Sequence, residues 1–97
     1  MLKPSEKQFT EHIENLGTFT FKFPTLSDEV KADNIAARML GDNKNPSISA
    51  MNIATMTGVL TVGIVEAPEG FDINEVYSYE ELEAVYQVYT EKVYSFR

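Results

Sequence analysis

His12 is the one histidine in a chain of 97 residues. With Glu11 and Glu14 close by, it invites a reading as a general base or as half of a metal site. Spacing argues against both. On a helix, which is what this segment is expected to form, neighbours at i−1 and i+2 occupy different faces and cannot converge on one proton or ion. A solvated or partner-facing histidine is the better reading. Glu80, Glu81 and Glu83 would suit paired acids or a calcium site, but no Asp-rich loop of alternating ligands accompanies them. They suit the negative start of a helix, where the macrodipole favours acids. Gly58 and Gly63 lead into no Lys-Ser or Lys-Thr pair, so they do not form a phosphate loop. No nucleophilic triad can be built around one histidine flanked by helix acids. The chain has no cysteine, hence no thiolate nucleophile, cysteine-ligated zinc or disulfide. The expectation is a protein that is not an enzyme and uses no metal or cofactor.

Chemistry of binding is better represented. Tyr77, Tyr79, Tyr86, Tyr89 and Tyr94 crowd the last quarter of the chain, and tyrosine joins a large apolar face to a polar tip, a combination favoured at interfaces. Core packing is the plainer use, above all for Tyr86 and Tyr89 on the inner stripe of a predicted helix, while Tyr94 lies about half a turn off it. Met39, Met51 and Met56 fall on the two middle helices. Methionine adapts to varied apolar partners, although core filling is its commoner role. The expected protein-binding residues are therefore Met39, Met51, Met56, Tyr86, Tyr89 and Tyr94.

The elements that must position these residues read mainly as helix. Residues 5–17 open with Ser5 and Gln8 in capping-box spacing, carry Phe9, Ile13 and Leu16 at i, i+4, i+7, and close on Gly17. This pattern predicts a short helical arm over 1–17, ahead of one helical domain over 18–97. Thr18 to Phe23 alternates polar and aromatic residues up to Pro24, the period of a half-buried strand. No second strand of equal clarity is visible, so a neighbouring subunit could pair with it, or the segment could lie extended across helices. Thr25 or Ser27 caps a helix running to Leu40, with Leu26, Val30, Ala37 and Leu40 as its apolar face. Asn45 and Pro46 start the next, over 47–65, where Ile48, Met51, Thr55, Val59 and Val62 share a stripe. Its second half, 58–65, is β-branched and interrupted by glycine, so strand is the alternative there. Phe71 follows a turn as an anchor for the next loop. Ser78 and Glu81 form a capping box before a final helix from 79 to about 96, with Leu82, Tyr86, Tyr89, Val93 and Phe96 on one stripe and Val85 beside it. The predicted fold is a mainly α bundle of three to four helices with one short N-terminal β-like segment.

Composition bounds the function. A chain this short forms one core and buries only about 60 to 65% of its unfolded surface. The net charge is −7, and it is lopsided: seven acids face six bases up to Val65, whereas eight face two from Glu66 onward. A binder of phosphate backbones needs a basic footprint, which is lacking, so no nucleic-acid partner is expected. The longest apolar-rich stretch, 59–65, is too short for a bilayer, and the first residues lack the apolar run of a signal peptide. A soluble protein with no membrane partner is expected.

Three passages carry a resemblance: Phe19-Thr20-Phe21-Lys22-Phe23-Pro24-Thr25-Leu26-Ser27-Asp28-Glu29, Ala36-Ala37-Arg38-Met39-Leu40-Gly41 and Ala67-Pro68-Glu69-Gly70-Phe71. In order and spacing the chain resembles, over roughly 19–97, the tail assembly chaperones of siphophages and their prophages. It departs from them in the middle helix, where Thr and Gly stand in place of the more usual Ala and Leu. The resemblance implies a mostly helical, self-associating protein of the bacterial host cytoplasm. Such a protein coats the tape-measure protein while the tail tube polymerises, and is absent from the mature virion. It also implies a longer frameshifted form whose extension recruits the tail tube protein. Two other readings remain. One is a structural head-tail joining or tail-terminator protein, which would use more strand. The other is an acidic decoy of DNA, which the acid-free run 85–90 disfavours.

Overall fold

The computed structural model describes residues 7–96. Within it Phe19 and Phe21, the centre of the aromatic alternation, are fully buried. They lie on β2 (Gly17–Lys22), the middle strand of a three-stranded antiparallel sheet between β1 (Gln8–Ile13) and β3 (Ile64–Glu66). Three helices complete the described residues: α1 (Leu26–Leu40), α2 (Ile48–Gly63) and α3 (Tyr79–Phe96), with a single 3-10 turn at Ile73–Glu75 before the last. The architecture is a β-hairpin, widened to a sheet by β3 and covered by helices on one face. A mainly α bundle is not what forms.

The main correction falls on the first segment. Its described part is a strand rather than the helical arm expected over 1–17. Phe9, Ile13 and Leu16 do fit a helical spacing, but Phe9, Glu11 and Ile13 fit the period of two equally well. The choice goes to the alternative that can pair with β2, since a three-turn helix gains little by itself. The register sets Phe9 opposite Phe21 and Glu11 opposite Phe19. A three-residue turn closes the hairpin, using a positive φ at Asn15 (71°), a residue type that tolerates it, and at Gly17 (123°). The other face of the hairpin is polar: Thr10 and Thr20 hydroxyls lie 3.2 Å apart, and His12 Nδ1 is 3.1 Å from the Thr18 hydroxyl.

α2 ends at Gly63, and the chain passes straight into β3, so strand wins only over the last residues of the ambiguous stretch 58–65. A bulge separates the pairs Thr20 to Glu66 and Phe21 to Ile64. The start of α2 is capped by Ser47, whose hydroxyl accepts from the Ala50 amide at 3.0 Å, and not by Asn45. α1 begins at its expected Thr25 cap and stops at Gly41.

The core lies between the inner sheet face and two helices: Phe19, Phe21 and Ile13 meet Met56 and Leu60 of α2, and Leu82, Val85, Tyr89 and Val93 of α3. Tyr89 donates a hydrogen bond to the Lys22 carbonyl at 3.2 Å, tying α3 to the end of β2. Phe71 packs edge-on against Phe19 at 4.9 Å, the anchor role expected of it. α1 stands outside this core and packs chiefly on α2. The crossing is close enough that a Cβ at Gly58 would collide with the Ala32 carbonyl oxygen.

Candidate functional site

α2 is apolar nearly all round, and such a helix stays dry only if neighbours surround it. Two faces are covered. Ala54 and Gly58 are buried on the side nearest α1, while Met56, Leu60 and Gly63 are buried toward the sheet and α3. The third face carries the stripe read from the sequence, and it is largely open: Ile48 is 74% and Met51 41% exposed, Thr55 is exposed, and Val59 and Val62 are half-buried. α1 likewise turns its expected apolar face outward, with Leu26 and Val30 exposed; it uses the small Ala32 to approach α2.

The open face of α2 is the floor of a trough between α1 and α3. Its deeper part encloses about 340 Å³ over Val59 and Val62, with Asp28, Glu29 and Asp33 on the α1 wall and Tyr86 and Tyr94 on the α3 wall. A second depression of about 300 Å³ continues it over Asn52 and Thr55, bounded by Tyr79 and Glu83. Tyr86 and Thr90 line both, so the two run together along α2.

The electrostatics of the walls differ. Asp28 is 5% exposed and fully engaged. It accepts from the Thr25 amide at 2.9 Å, donates its own amide to the Thr25 hydroxyl at 3.1 Å, and pairs with Lys22 Nζ at 2.9 Å. Burial pushes its pKa up, but the Thr25 hydrogen bonds and the Lys22 ammonium outweigh this and hold it below the ordinary 3.8. Asp33 is exposed and makes no ion pair among the described residues. On the opposite wall burial, and then neighbouring Tyr94, raise the Tyr86 pKa, so its phenol keeps its proton at neutral pH. The trough thus has a floor that is apolar in its deeper part, an acidic α1 wall, and an α3 wall that carries tyrosines and, at its far end, Glu83.

The six expected binding residues divide. Tyr86 and the 69%-exposed Tyr94 stand together on the α3 wall. Tyr89 and Met56 are core residues that show only an edge to the trough. Met39 and Met51 are exposed where α1 ends and α2 begins, and line neither depression. Sequence reasoning missed Asp33, Val59 and Val62 as lining. The available signal was α2 itself, too apolar for the one α1 face that could cover it. Elsewhere, His12 lies on the polar sheet face with its threonine partner. Glu80 and Glu81 surround the Ser78 cap, with the Glu81 amide donating to the Ser78 hydroxyl at 3.3 Å. Among the described residues no group of His, Asp and Glu is placed to hold a metal ion. None of their helices is long and apolar enough to cross a membrane.

Comparison of the chain with protein-family models, with curated proteins and with solved structures gives no match.

Proposed function

We propose that this protein is a tail assembly chaperone of a long-tailed phage or its prophage, and that the trough between α1 and α3 receives a helical stretch of the tape-measure protein. The observation that carries the reading is the apolar stripe of α2, largely open among the described residues. A tape measure exposes apolar helix before the tube encloses it, and an apolar groove accepts such a helix by the contacts that bury amphipathic helices elsewhere. The acids outside the trough keep the complex dispersed. In this reading the protein has no turnover and no cofactor, acts in the host cytoplasm, and is left out of the virion. It self-associates, and a longer frameshifted form reaches the tail tube protein.

Co-expression tests it. With this protein present the tape-measure protein is expected in the soluble fraction. Thr55→Arg combined with Tyr94→Ala, both at exposed positions, abolishes that effect while the circular dichroism and melting temperature stay as in the unaltered chain. Retained solubilisation by the double variant moves the site away from the trough; no solubilisation by the unaltered chain removes the chaperone reading. A second reading, a structural head-tail joining or tail-terminator protein, draws support from the three-stranded sheet, whose β1 edge is open among the described residues. Detection of the chain in purified particles would favour it.

A further inference from the structure

We propose that the trough selects helices bearing lysine or arginine along one edge, seating the cation between Asp33 on α1 and the tyrosines on α3. The inference rests on the reading of the trough as a helix-binding site and adds the chemistry of its occupant. The first support is charge. Asp28, Glu29, Asp33 and Glu83 line the two depressions, and among the described residues no lysine, arginine or histidine does. Lys22 meets the Asp28 charge from outside the trough, whereas the exposed Asp33 makes no ion pair among the described residues, so its carboxylate is available to an incoming cation. The second is the opposite wall. Tyr86 and Tyr94 present aromatic rings, whose faces attract cations, most strongly where the site excludes water. The third is the floor: a lysine or arginine stem is apolar for most of its length and suits Val59 and Val62 while its head stays at the rim. From Asn52 to Val62 the floor spans about 15 Å of α2, roughly three turns of a bound helix. A wholly apolar helix would leave the acidic wall desolvated without compensation; a basic-edged one neutralises it.

The test uses the intact chain and three labelled peptides of roughly 18 residues, long enough for helix, sharing one leucine and alanine face and differing only at the edge positions, which are all Lys, all Gln or all Glu. Fluorescence anisotropy is expected to show the Lys peptide binding about tenfold tighter than the Gln peptide, with the Glu peptide weakest and the gaps shrinking as salt rises. Asp33→Lys, at an exposed position, weakens the Lys peptide by about five- to tenfold. Asp42→Lys, an equal change of net charge in the loop after α1, is expected to stay within about twofold, as a screened distant charge should. Equal affinity for the Lys and Gln peptides overturns the cation inference and leaves the helix-binding reading intact. Equal losses from Asp33→Lys and Asp42→Lys overturn it too, since the effect is then one of overall charge. No binding by any of the three peptides overturns the helix-binding reading as well.

Discussion

Asp28 couples the hairpin to the helices, because one buried carboxylate serves both the Thr25 cap of α1 and the Lys22 ammonium at the end of β2. Its folded pKa lies below the ordinary value. It therefore contributes stability above that value and loses it as pH falls toward and through the folded pKa. Urea midpoints measured from about pH 6 downward are expected to hold level, as far as this group is concerned, until roughly pH 5, and then to decline. Asp28→Asn should lower the plateau and flatten that decline; an acid limb identical in the variant would show that the pair contributes nothing. At this scale much was legible. Thr25 as a cap and Asp28 in the first turn follow from residue type, whereas the Lys22 pairing depends on the hairpin bringing the end of β2 beside the start of α1, which local sequence does not encode. The same holds for Met56: the helical period puts it about 140° around α2 from Met51, but nothing local says which of the two faces is buried.

Among the elements, α1 starts and stops at its caps, and α3 follows its stripe because local propensity and tertiary burial agree there. β1 does not, because its helical spacing is overridden by pairing with a neighbour twenty residues or fewer away along the hairpin. The outward turn of the large apolar residues of α1 and of the α2 stripe has a single cause. These helices approach through Ala32 and Gly58, small residues that a search for large apolar side chains passes over, and the larger residues are left facing out. Gly58→Ala tests this account. Helix propensity alone would favour alanine by about 1 kcal/mol, but the added methyl meets backbone at Ala32 and not the flexible end of a side chain. The helices must separate. The expected net result is a loss of about 1 to 3 kcal/mol, read as a lower denaturant midpoint; an unchanged or raised midpoint would mean the crossing is looser than described.

For the molecule as a whole, the sheet leaves one long edge open among the described residues. Phe23 donates its amide to Lys7, which fixes Lys7, Phe9, Glu11 and Ile13 as the β1 positions bonded to β2 and turns the backbone groups of Gln8, Thr10 and His12 outward. The self-association proposed above has its natural seat there. Thr10→Pro removes an outward amide and the exposed hydroxyl contact with Thr20 but no ladder bond to β2; it is expected to keep the fold by circular dichroism and to abolish association in sedimentation velocity. Association that persists in the variant would place the contact elsewhere.

The bond from Tyr89 to the Lys22 carbonyl joins residues 67 positions apart. On a ribosome this separation becomes a delay. The hairpin needs only local contacts and can pair soon after residue 23 emerges, yet Val85 and Tyr89, which pack with Phe19 and Phe21, are made roughly 60 residues later. At synthesis rates of about 5 to 20 residues per second, the aromatic face of the hairpin stands bare for several seconds. During that interval a nascent chain carries the kind of unprotected apolar surface that the finished protein is proposed to shield in its partner.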